Sequence, residues 1–130
     1  MTSIIGSALS GMTAATKRIE VSAQNLVNAN SVGTPDAKGE NESYKAVEPV
    51  QTTDESGAPS VKVQEKDPAT VRVYAPENAL ANEEGLVESP NVDVAGELVN
   101  QNLALHSYQA NVKMFEVWNE LQKVTLDIKS

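Results

Sequence analysis

Side chains able to do chemistry are few and scattered in this sequence. His106 is the single histidine and there is no cysteine, so a zinc-type site lacks the second imidazole or thiolate it needs. Disulfides and thiolate nucleophiles drop out with the cysteines, which also leaves the redox compartment undetermined. His106 therefore reads as a polar helix position. The acidic pairs Asp54-Glu55 and Glu83-Glu84 could attract Ca²⁺, but neither has EF-hand spacing, and both read as solvated loop charge. Nucleophile elbows, phosphate-cradling glycine loops and paired catalytic carboxylates are absent, so neither catalysis nor a cofactor is expected. What remains is a cluster of amides, Asn25, Asn28 and Asn30. Asparagine competes for backbone groups at helix ends, and capping could account for the whole cluster, although Asn25 lies a turn too early to fit that account easily.

The elements that would hold these residues are read from hydrophobic spacing. Ile5, Ala8, Met12, Ala15, Ile19, Ser22 and Leu26 step alternately by three and four residues, the seam of a coiled coil. Near the other end Leu103, Ser107, Ala110, Met114, Val117, Leu121, Val124 and Ile128 repeat the pattern. All six prolines fall between the two segments. The spacing predicts a first helix from about Thr2 to Ala29, roughly 40 Å long, closed by left-handed conformations at Asn28 and Asn30 and by Gly33-Thr34-Pro35. A last helix starts after a cap at Asn91 or Asp93, carries Glu97 in its first turn where the macrodipole favours an acid, and runs to about Ile128. It bears a second partial seam, Leu98, Leu105, Tyr108, Val112 and Phe115, and a single partner helix can cover only one of the two.

In the middle, Tyr44, Ala46 and Val50 follow a period of two, with Pro49 marking an edge. Val61-Lys62-Val63 follows the turn signal Asp54-Glu55-Ser56-Gly57, and Val71 to Tyr74 follows Lys66-Asp67-Pro68, so these two segments are expected to pair antiparallel. Ala75 to Val92 reads as an extended loop. The fold expected is mainly α with a small β region: long N- and C-terminal helices packed as a coiled-coil-like pair around an irregular middle with two or three short strands. The divisions fall at 1–31, 32–92 and 93–130.

At 130 residues the chain has the length of one domain, and with one Phe, one Trp and three Tyr its middle supports only a small core. Asp36 to Glu97 holds 14 of the 18 acidic residues and 5 of the 10 basic ones, so the net charge of -8 belongs to the middle. No basic stripe for phosphate binding is present, which argues against nucleic acid. No run approaches the roughly 18–20 apolar residues of a membrane span, and Met1 to Met12 lacks the pattern of a cleaved secretory signal. The first helix carries only Lys17, Arg18 and Glu20 as charges. Its outward face of Ser, Thr, Gln and Asn is the kind that meets protein rather than water.

The segment Ser22 to Thr34, SAQNLVNANSVGT, resembles the N-terminal signature of the bacterial flagellar axial proteins, in which small residues alternate with Asn, an aliphatic residue and the run Asn-Ala-Asn. Ser107-Tyr108-Gln109-Ala110-Asn111 is similar to their C-terminal Tyr-x-Ala-Asn element. Within that family the short proximal-rod members of the basal body are the nearest pattern. Their acidic loop, Gly and aliphatic pair are matched by Asn82 to Val87, and their Pro-Asn-Val-Asp-Val by Pro90 to Val94. Ala75-Pro76-Glu77-Asn78 stands where the family usually has a Pro-Gly-His-Pro-like turn.

The resemblance implies a structural subunit of a helical heteropolymer, the periplasmic rod that transmits torque from rotor to hook and whose channel passes later export substrates. Copies of itself and other rod proteins would be its partners, with the flagellar type III export apparatus engaged during secretion. Both helices would form the inner tube, using Ile5, Ala8, Met12, Ala15, Ile19, Leu26, Leu103, Ala110, Met114, Val117, Leu121, Val124 and Ile128 for assembly. Asn25, Asn28, Asn30, Tyr108, Ala110 and Asn111 would be the family positions. Another rod or hook-junction axial protein shares both terminal motifs, and a secreted helical effector or export chaperone, which would form a defined soluble complex, is the remaining alternative.

Overall fold

The computed structural model describes residues 2–129. Helix α1 spans Thr2–Asn28 and helix α2 spans Val94–Lys129, with strands β1 (Val47–Thr53), β2 (Pro59–Glu65), β3 (Thr70–Tyr74) and β4 (Leu86–Pro90) between them. The mainly α architecture with a small β region is as the spacing predicts.

α1 and α2 pack antiparallel, since Asn25 meets Glu97 and Gly11 meets Asn111. The α1 seam faces inward: Ala8, Ala15 and Ser22 are buried, and Ile5, Met12, Ile19 and Leu26 are half-buried. On α2 the inward stripe is not the Leu103 seam. It is the stripe of Gln101, Ala104, Asn111, Trp118 and Gln122, of which Ala104 is fully buried and the others half-buried. The matched seams therefore do not meet. Two polar anchors and small residues at Gly11, Ala8 and Ala15 set the rotation of α2, and its richest apolar stripe is turned aside. The register also runs out of α1 near Glu120, so α2 continues past it for roughly 13 Å.

The end of α1 closes by side-chain bonding rather than by left-handed residues. Asn28 donates from Nδ2 to the Gln24 carbonyl at 2.9 Å, and the Ser31 hydroxyl donates to the Asn28 carbonyl at 2.8 Å. Among the described residues the only non-glycine with positive φ is Asp36, at 59°, so neither Asn28 nor Asn30 adopts the left-handed conformation expected of it. Gly33 serves a different end. Its backbone bonds Glu88 in both directions at 2.8 Å, and a Cβ there would collide with the backbone of Ser43 and Asn41.

The strands form two separate antiparallel ribbons, β1–β2 and β3–β4. The expected pairing of Val61–Val63 with Val71–Tyr74 does not occur, and the expected loop before α2 contains a strand. Local turn chemistry decides this. Asp54 Oδ1 accepts from the Ser56 and Ala58 amides at 2.8 and 2.9 Å, and Gly57 sits at φ 80°, so β2 folds back on β1 with Val47 opposite Glu65 and Thr53 opposite Pro59. β3 is left for β4, with Thr70 opposite Pro90 and Tyr74 opposite Leu86. The β1–β2 hairpin lies along α1, its turn beside Gly6, Ser7 and Ser10. Among the described residues the buried apolar side chains are Ala8, Ala15, Val21, Ala46, Val87 and Ala104. Four of these six are alanines, so the core is thin.

Candidate assembly surface

The polar centre of the molecule is Asn25, 1% exposed. Its carboxamide bonds Val47 as a neighbouring strand would: Nδ2 donates to the Val47 carbonyl at 2.7 Å, and Oδ1 accepts from the Val47 amide at 3.1 Å. The same Nδ2 donates to Glu97 Oε1 at 2.6 Å, and Oδ1 accepts from the Tyr44 hydroxyl at 3.0 Å. One side chain thus joins α1, the approach to β1, β1 itself and the first turn of α2. Capping is not its role, and Glu97 does more than complement the helix dipole. Burial, with the Glu97 carboxylate as the second cause, holds the Tyr44 phenol above its ordinary value. Sequence reasoning singled out Asn25 but missed its partners, because their separations of 19, 22 and 72 residues carry no local signal.

Asn111 plays a different part. Its Nδ2 donates to the Ser107 carbonyl of its own helix at 2.8 Å, and its tip fills the space that a side chain at Gly11 would take: a Cβ there would lie 2.5 Å from Oδ1. Tyr108 and Ala110 are exposed on the same helix, Asn28 is half-buried and Asn30 exposed.

The predicted α2 seam lies open to solvent. Leu103, Met114, Val117, Leu121, Val124 and Ile128 are 54%, 55%, 49%, 59%, 56% and 80% exposed, and Ala110 lies among them. Projected on a helix, this stripe flanks the one that faces α1, and the second partial seam, with Leu98 and Leu105 at 49% and 44% exposure, flanks it on the other side. A chain of this size rarely leaves an apolar surface of such length uncovered unless it meets protein.

The candidate chemical groups stay apart. His106 is exposed on α2. Asp54 is occupied by its own turn, where the Ser56 hydroxyl, first among several donors, holds its carboxyl below the usual range. Among the described residues no three His, Cys, Asp or Glu side chains gather as for a metal, and no helix is long and apolar enough to cross a membrane.

Comparison with known proteins places this arrangement. The family described as "Flagellar basal body rod FlgEFG protein C-terminal" matches residues 83–128, which takes in β4 and all of α2 but its last residue. The chain is 42% identical to the flagellar basal-body rod protein FlgC of Yersinia enterocolitica and 38% identical to that of Salmonella typhimurium strain LT2, in each case over 96% of this chain and 92% of the relative. The same-named protein of Aquifex aeolicus is 33% identical over 91% of this chain and 89% of its own.

Proposed function

The chain belongs to the flagellar basal-body rod protein FlgC family, and from that premise we propose that it is a structural subunit of the rod, joined to its neighbours through the uncovered apolar stripe of α2. The observation that carries this reading is that exposure. Leu103, Met114, Val117, Leu121, Val124 and Ile128 fall on one seam of α2 and remain 49–80% exposed in the described structure. Burying one such side chain contributes roughly 1.5–3 kcal/mol, so a partner helix on this stripe supplies a strong interface.

In this reading 1–31 and 93–130 build the tube of the rod and 32–92 forms a lobe on its outside. Copies of this chain and other rod proteins are the partners. Torque passes through many staggered helix contacts, each of ordinary strength, and the helices contribute to the wall of the export channel. A core of mostly alanine suits passage through the type III export apparatus in an unfolded state, because marginal stability leaves little to undo. The test is incorporation: Val117→Asp and Val124→Asp should each leave export intact and remove the chain from isolated basal bodies. Normal incorporation of both would refute the stripe as the joint.

A further inference from the structure

Arg18 is the one basic residue among those described that is at least half-buried and has neither an ion pair nor a hydrogen bond. Lys66, the other half-buried cation, donates to the Asn91 carbonyl at 3.1 Å. Lys17, Lys45, Arg72 and Lys113 have carboxylate partners, and the remaining basic residues with described side chains are exposed. Arg18 sits at a crevice of about 150 Å³ where α1, α2 and the β1–β2 hairpin meet, and the polar side chains that share it are Gln51, Ser107 and Asn111. No carboxylate lines that crevice. A guanidinium presents five donors in a fixed fork suited to a carboxylate, and its neighbours here offer only neutral groups.

Resting on the rod-subunit reading, we propose that this crevice is a docking point for a carboxylate from a second copy of the chain, with Arg18 as its anchor and the Ser107 hydroxyl and Gln51 amide beside it. The argument for a second copy is charge. The chain carries -8 overall, and 14 of its 18 acidic residues lie between Asp36 and Glu97. The lobe's turn residues Glu83 and Glu84 are exposed and have no ion pair. A second copy offers these carboxylates to a crevice that holds none of its own. The joint would add a charge-assisted contact between helix pair and lobe to the apolar seam along α2.

The experiment keeps Arg18 and places a photo-cross-linking residue beside it at the exposed position 51, and separately at position 117, in cells that build rods from the substituted chain. Cross-linked products from isolated basal bodies are identified by mass spectrometry. Position 51 should yield a dimer of this chain, joined to a peptide from 36–97 of the second copy. A product at position 117 with none at position 51 would overturn the Arg18 proposal and leave the rod reading standing, and absence of both would count against the rod reading as well. Linkage of position 51 to a different protein would overturn the choice of a second copy. In parallel, Arg18→Lys should retain incorporation while Arg18→Gln lowers it by at least about tenfold, the loss expected for one charge-assisted bond. The purified Lys and Gln variants should melt together with the parent, because Arg18 has no hydrogen bond or ion pair among the described residues. An equal loss of melting temperature in both variants would show a structural role inside the subunit and sink the proposal.

Discussion

A single amide carries the largest polar burden in the fold. Replacing Asn25 by Leu strands the Val47 amide and carbonyl, the Tyr44 hydroxyl and Glu97 at once, and buried groups left unpaired cost about 1–3 kcal/mol each before relaxation. Asn25→Leu should therefore destabilise the purified chain by about 2–4 kcal/mol in urea titration, whereas Gln24→Leu, on the exposed neighbour, should stay within about 0.5 kcal/mol. Equal midpoints for the two variants would deny Asn25 its role as a hub. Tyr44 adds a pH dependence. With its phenol held above the ordinary value of 10.0, the folded chain keeps this proton more tightly than the unfolded chain. That contribution is complete below pH 10 and is lost as pH rises through the higher folded-state value. Tyr44→Phe should remove this part of the alkaline limb of a stability-against-pH curve while leaving the acid limb in place.

At the scale of elements, α1 and α2 approach through a notch. Alanine is better than glycine in a helix by about 1 kcal/mol, yet at position 11 its Cβ would enter the space held by Asn111, and overpacking of that kind costs about 1–3 kcal/mol. Gly11→Ala should thus be neutral to destabilising in thermal melts, and the double variant Gly11→Ala/Asn111→Ala should recover the helix-propensity gain. Gly6, with nothing within 4 Å of the added Cβ, is the control, and Gly6→Ala should stabilise the free chain by about 1 kcal/mol. If Gly6→Ala and Gly11→Ala shift the melt alike, the notch has no energetic meaning. The hairpin shows how a turn can select a sheet. Three bonds to Asp54 Oδ1 make the tip of β1–β2 self-sufficient, and β3 takes whichever strand is left.

For the molecule as a whole, the division between what holds the subunit and what joins subunits predicts different fates for similar changes. Met12 is half-buried within the chain, so Met12→Asp should lower the stability of the free subunit by several kcal/mol. Leu121 lies on the open stripe near the end of the stretch of α2 that overlaps α1. Leu121→Asp should leave the urea midpoint of the free chain within about 0.5 kcal/mol of the parent and still abolish incorporation into the rod. A matching loss of subunit stability in both would mean that the stripe is covered in the free chain. The lobe should tolerate what the helices do not: a short Gly-Ser insertion after Ser56, at an exposed turn tip, should preserve assembly. The same insertion after Asn28 shifts the bridge between Gly33 and Glu88 and should break it.

Spacing along the chain determined the two helices, the inward seam of α1 from Ile5 to Leu26, the Asp54–Gly57 turn and the standing of Asn25 as more than a cap. Helix periods and turn chemistry are local properties, written within a few residues of where they act. Tertiary structure alone decided which stripe of α2 turns toward α1, which strands pair and what Asn25 bonds. Apolar spacing on α2 pointed to the Leu103 seam, but the rotation of a helix answers to all of its contacts together. Here the close approach at Gly11 and the hydrogen bond from Asn25 to Glu97, between residues 72 apart in sequence, turn that seam outward. An apolar stripe announces that it will be buried, and its partner is settled by contacts the stripe does not contain.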